Sequence, residues 1–189
     1  MYKVIVIIVL VVFLNACSSS KIAGVVYYDS FDFSTVKSYS FYDRNSAFSE
    51  TQSLLDNRRN AIEIAIERTM ASKQFNYTEI ENTDLIVTYH LFDGKHGDFS
   101  NYNKAVRFCT HCLRASTWQT ERQYSSVKAG DLVLDLVDPK KNRSVWRSVF
   151  PLKFKEKDNS AEINDRIKLA IAAMLAEYPQ AVNTKEKVN

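Results

Sequence analysis

Gly130-Asp131-Leu132-Val133-Leu134-Asp135-Leu136-Val137-Asp138 runs through Pro139-Lys140-Lys141-Asn142 into Ser144-Val145-Trp146-Arg147-Ser148-Val149-Phe150. Residues 131–137 alternate, with Leu132, Leu134 and Leu136 on one side, as in a strand with one covered face. Asp-Pro-Lys-Lys-Asn is turn chemistry, because aspartate and asparagine bond their own backbone and proline fixes φ. The stretch therefore predicts a β-hairpin, the nucleus of an antiparallel sheet. Outward from it, Val25-Val26-Tyr27-Tyr28, Tyr39-Ser40-Phe41-Tyr42 and Asp84 to His90 are aromatic and β-branched runs that read as further strands of the same sheet. Asn76 to Ile80 reads as a short strand, and residues 118–124 alternate through Trp118, Thr120, Arg122 and Tyr124.

Two segments carry the helical period instead. From Ser53-Leu54-Leu55-Asp56 onward, Ile62, Ala65, Ile66, Thr69 and Met70 form one stripe, with Arg59, Glu63, Glu67 and Lys73 mainly on the other face. Near the C-terminus Asn159 and Glu162 have capping-box spacing ahead of a stripe of Ile163, Ile167, Ile171, Met174 or Leu175, and Tyr178, and Pro179 ends that helix. The expected fold is α+β, a two-layer sandwich of a mainly antiparallel sheet with two helices packed on one face.

The first residues read as an address. Lys3 precedes an apolar run from Val4 to Leu14, and Leu14-Asn15-Ala16-Cys17 follows. That run is shorter than the ~20 residues of a membrane-spanning helix and has the layout of a secretory signal. The whole resembles a bacterial lipoprotein signal. The resemblance implies that residues 1–16 are removed, that Cys17 becomes the lipidated first residue, and that the covalent lipid holds the chain to a membrane. Ser18, by resemblance to the sorting pattern of enteric bacteria, favours the outer membrane, with the domain facing the periplasm. Residues 17–24 form a tether of at most ~25 Å at ~3.5 Å per residue, which keeps the domain near its membrane. Residues 25–180 are expected to form one domain and 181–189 a flexible tail.

Charge excludes one class of partner. Of 25 Lys plus Arg only Lys3 lies in the signal, which leaves 24 cations against 22 acids and argues against nucleic acid. Four glycines and three prolines leave no low-complexity linker and no glycine-rich phosphate cradle.

Several segments in order resemble the bacterial lipoprotein family catalogued as domain of unknown function 4136. They are Val26 to Asp29 with Asp32-Phe33-Ser34 and Lys37-Ser38-Tyr39; the helix with Arg58, Ile62, Ile66 and Met70; Asp84 to Tyr89; Gly130 to Asp138; Val145-Trp146-Arg147; and Ile163-Asn164 leading to Tyr178-Pro179. The resemblance implies an envelope lipoprotein of α+β fold and brings no catalytic residues with it. Ser148 stands where a glycine is common after the Trp-Arg pair.

The segment with chemical potential is Cys109-Thr110-His111-Cys112. In an oxidising compartment two thiols at this spacing most simply form a disulfide. A thiol redox role is the sharper reading, but Leu113 to Trp118 has no amphipathic helical pattern to place the motif at a helix start. Zinc is a third reading, with Cys109, His111, Cys112 and His96 as ligands and His90 or Asp93 as further candidates. Leu113 after Cys112 rules out the usual haem attachment motif. There is no zinc-protease histidine–glutamate pair, no G-x-S-x-G elbow and no Walker loop, so an enzyme is not expected. Asp135 and Asp138, near a turn, read as solvated or turn-forming carboxylates. Between Gly94 and Lys128 six cations, among them Lys95, Lys104, Arg107 and Arg114, outnumber Asp98 and Glu121, with Phe99, Tyr102, Phe108 and Trp118 interleaved. This stretch reads either as a contact surface for an anionic envelope component or another envelope protein, or as a solvated irregular loop with its aromatics tucked into the core.

Overall fold

The computed structural model describes residues 23–42, 54–109, 112, 114–115, 127–154 and 157–179. The expected lipoprotein signal, Cys17, most of the expected tether, the expected strand at 118–124, His111 and the expected tail lie outside them. The strands are β1 (Gly24–Tyr27), β2 (Ser38–Phe41), β3 (Asn76–Tyr77), β4 (Leu85–Leu91), β5 (Arg114–Ala115), β6 (Asp131–Asp138) and β7 (Arg143–Pro151); the helices are α1 (Asp56–Ser72), α2 (His96–Ala105) and α3 (Ser160–Ala176). Among the described residues these seven strands form one sheet in the order β3-β2-β4-β6-β7-β1-β5. β2 lies parallel to β3 and β4, and the other pairings are antiparallel. The fold is α+β with a mainly antiparallel sheet, as the sequence predicts.

The central hairpin forms as expected. The Asp138 carboxylate accepts from the backbone N–H groups of Lys140 and Lys141 at 2.8 and 3.3 Å, and Asn142 takes φ 48° to close the turn. Asp135 then faces Arg147 across the ladder, and a register shift follows between Leu136 and Val137. β6 starts behind Gly130, whose φ of 89° suits glycine and turns the chain out of a loop tied by Lys128 N–H to the Asp131 carboxylate at 2.7 Å.

α1 and α3 pack against each other and onto one face of the sheet. Ile62, Ala65, Ile66 and Met70 meet Ile167, Ala170, Ile171, Met174 and Leu175 over Leu85, Val87, Leu132, Leu134 and Leu136, so both sequence stripes are core. The capping box of α3 is present: Asn159 accepts from Ala161 and Glu162 N–H at 3.0 Å and Glu162 accepts from Asn159 N–H at 3.0 Å. Beyond α3, Tyr178 donates to the Phe33 carbonyl at 3.0 Å and meets its ring edge to face, which ties the end of the domain to the segment before β2.

α1 and α3 are the two helices expected on one face, and α2 adds a third that the two-layer expectation lacks. Strand residues alternate sides, so the positions between the core leucines and valines point the other way. Ile86, Val133 and Val137 on that side gather with Tyr102 of α2 and Val106 just after it, and Phe99 and Phe108 pack on their rim. A third helix therefore covers part of the second face, and the stretch read as irregular loop begins as a ten-residue helix.

Candidate functional site

The second face carries an ionic and polar cluster as well as apolar residues. β6 places Asp135 and β7 places Arg147 directly opposite, both essentially without solvent exposure. Arg147 Nε lies 2.9 and 3.0 Å from the two Asp135 oxygens and its Nη2 lies 2.9 Å from Oδ2, a forked pairing that suits guanidinium to carboxylate. Ser144 donates to Asp135 Oδ1 at 2.6 Å and Tyr102 donates to Oδ2 at 2.8 Å. Arg147 Nη1 donates to Asn103 Oδ1 at 2.8 Å, and its guanidinium carbon sits 3.5 Å from the centre of the Phe108 ring. The Ser144 N–H donates to the Val106 carbonyl at 2.8 Å. Side chains and backbone thus fasten α2 and the turn after it to the hairpin. Burial, with the Asp135 charge behind it, holds the Tyr102 hydroxyl well above its ordinary titration range, so it remains a donor.

His90 lies on the same face, on β4. Its ring stacks on Tyr102 at 4.9 Å between centroids and tilts against Phe99 at 5.7 Å. It is 2 % exposed, and neither ring nitrogen has a hydrogen-bond partner among the described residues. Burial pushes it down to about 4, with Asp93, Asp98 and Asp135 opposing the shift and Arg147 adding to it.

This arrangement corrects the reading of Asp135 as solvated or turn-forming, since its carboxylate is the centre of the buried cluster. Asp138 does form the turn. Asp135 and Arg147, charges in the middle of otherwise largely apolar strands and opposed across one hairpin, were the available signal; choosing that pairing over a neighbouring register required the bulge.

The sequence-chosen residues fall in several places. Cys109 and Cys112 are joined in a disulfide with Cα atoms 5.3 Å apart, and Cys112 N–H donates to the Cys109 carbonyl at 3.1 Å. Metal ligation needs both sulfurs as thiolates, and here each is bonded to the other. His96 begins α2 with its ring against Phe92 at 5.4 Å. Among the described residues no three His, Cys, Asp or Glu side chains gather as a metal site requires. Lys95, Lys104 and Arg107 are exposed around α2, and Lys95 pairs with Asp93 at 3.3 Å. Arg114 pairs through its backbone with Tyr27, and Trp118 lies outside the described residues. Tyr102 is fully buried and Phe99 and Phe108 partly so, so these three aromatics belong to the core.

Residues 25–180, the sheet with its three helices, match the family described as domain of unknown function DUF4136. The chain belongs to this family. A crystal structure of a DUF4136 family protein from Bacteroides thetaiotaomicron VPI-5482 superposes with a TM-score of 0.53 at 13% identity, covering 86% of this chain and 99% of that one. A PDZ domain protein from Parabacteroides distasonis ATCC 8503 aligns at 13% identity with a TM-score of 0.47, over 84% of this chain and 35% of that one. No curated protein matches this DUF4136 chain. Among the described residues no helix is long and apolar enough to cross a membrane.

Proposed function

We propose that this DUF4136 protein is a lipid-anchored module of the bacterial envelope that acts by binding rather than by catalysis. The observation that supports this reading is the state of its reactive groups. Asp135, Arg147, Ser144 and Tyr102 bond one another inside the domain, and Cys109 bonds Cys112. Groups so engaged hold α2 on the sheet and do not present themselves to a substrate. The anchor is the covalent lipid on Cys17, at the end of a tether of at most ~25 Å, placing the domain on the periplasmic side of the outer membrane. The surface offered is that around α2, where Lys95, Lys104 and Arg107 suit an anionic envelope component or an acidic face of another envelope protein.

Two measurements test the two halves separately. A Cys17→Ser chain should lose fatty-acid labelling and leave the membrane fraction; persistent labelling would refute the anchor. A photo-crosslinker at position 104 in living cells should give one reproducible adduct that weakens when Lys95 and Arg107 become glutamate. A lone monomer under every condition would refute the binding surface.

A further inference from the structure

His90 takes no part in the polar network beside it. Its ring is 2 % exposed, and neither Nδ1 nor Nε2 has a hydrogen-bond partner among the described residues. It lies against Tyr102 and Phe99 of α2 and faces Val133 of β6 across the ladder. The Arg147 guanidinium of β7 stands over the same two rings, 5.7 Å from the centre of Tyr102 and 5.9 Å from that of Phe99. A protonated His90 would place a second cation against rings already serving one, without an acceptor for either N–H. Three acids face the ring and favour its charge. Asp135 of β6 is already engaged by Arg147, Ser144 and Tyr102. Asp93, after β4, pairs with Lys95 and accepts from its backbone N–H at 3.0 Å, and Asp98 lies in the first turn of α2. Burial outweighs all three and holds the ring down to about 4, against about 6.5 in water.

What keeps water from this ring is α2, and α2 is the part of the domain best able to leave. Its ties to the sheet are Tyr102 to Asp135, Arg147 to Asn103, and the Ser144 N–H to the Val106 carbonyl. Its apolar residues join Ile86, Val133 and Val137, a cluster separate from the core under α1 and α3. Ten residues long, with Gly97 in the first turn and no side-chain cap at Lys95, it is a weak helix once away from the sheet. Asp135, Arg147 and Ser144 all belong to the β6–β7 hairpin, so their mutual bonds outlast the departure of α2. Lifting α2 is therefore a local opening that spares the larger core.

We propose that α2 is a cover released by acid: His90 takes up a proton when α2 lifts from the sheet, and the imidazolium then keeps α2 from closing. Lys95, Lys104 and Arg107 leave with it, so acid withdraws the surface offered for binding. That consequence rests on the binding reading; the release does not. Residue-resolved hydrogen exchange of the intact protein, with no partner present, tests the release apart from the binding surface. With the ring at about 6.5 when open and about 4 when closed, the open fraction rises about thirtyfold between pH 8 and pH 5. The protection of the Tyr102, Val106 and Ser144 amides, corrected for intrinsic exchange, should fall by that factor while α1 and α3 keep theirs. His90→Phe and His90→Gln should each abolish the fall, and either serves if the other does not fold. In the wild type the ring resonances of His90 should still be those of neutral imidazole at pH 6. An equal fall in α1 and α3, a fall that persists in the His90 variants, or a ring already charged at pH 6 would each overturn the proposal.

Discussion

Replacing His90 by phenylalanine should change how stability depends on pH, in a window set by the buried ring. The ordinary histidine value is about 6.5 and the folded protein holds His90 at about 4. Above about 6.5 the ring is neutral in both states and contributes nothing to the pH dependence. Between about 6.5 and 4 the unfolded chain takes up a proton that the folded chain refuses, so stability falls as pH falls. Below about 4 both states are protonated and the loss levels off. At about 1.36 kcal/mol per pH unit the ceiling is about 3.4 kcal/mol, and the loss reached at pH 5 is about 2 kcal/mol. Phenylalanine keeps an aromatic ring against Tyr102 and removes the proton site together with two nitrogens that have no hydrogen-bond partner among the described residues. At pH 8 the variant should therefore lie within about 1 kcal/mol of the wild type. Urea denaturation from pH 8 to pH 4 measures both chains, and their shared carboxylates cancel in the difference. The difference should grow in the variant's favour by about 2 kcal/mol between pH 8 and pH 5. Parallel curves, or a difference that grows above pH 6.5, would refute the reasoning.

Asp135→Ala leaves the Arg147 guanidinium buried without its carboxylate and should cost about 3–5 kcal/mol in denaturant unfolding, much of which Asp135→Leu with Arg147→Met should recover. Tyr102→Phe removes one donor from a carboxylate that keeps Ser144 and Arg147, so a loss of about 1–2 kcal/mol is expected in the same assay. Asn159→Ala should cost about 1 kcal/mol of thermal stability, and Asn159→Asp much less, because aspartate still caps. Cys109→Ser with Cys112→Ser opens only a very small loop, so its unfolding free energy should fall by less than the roughly 3 kcal/mol of a fifteen-residue loop.

The residues that were legible in sequence are those whose partners are near in the chain or whose period is clean. Leu132, Leu134 and Leu136 alternate, Asp138 to Asn142 carries its turn in its own side chains, and Asn159 and Glu162 cap each other. Ile62, Ile66 and Met70 repeat on one helical face, and Cys109 lies three residues from Cys112. The α2 helix was harder to read because it buries only Tyr102 fully, carries Gly97 in its first turn, and meets the sheet through Phe99, Tyr102 and Val106 among polar residues. The polar cluster was hidden for a different reason. Whether Asp135 is a wet carboxylate or the centre of a buried network depends on register with Arg147 and on whether anything covers that face. Neither is a property of the residues beside it.

The place of β1 has a consequence for the order in which the chain is made. Its described neighbours are β7, where Val25 pairs with Ser148, and β5, where Val26 pairs with Ala115. A strand at the beginning of the domain thus has no bed until the hairpin some 120 residues later has emerged and closed. Gly24–Tyr27 therefore pairs late, after β6 and β7 have closed as a hairpin. The lipidation proposed for Cys17 can accordingly precede the docking of β1, which waits for β7.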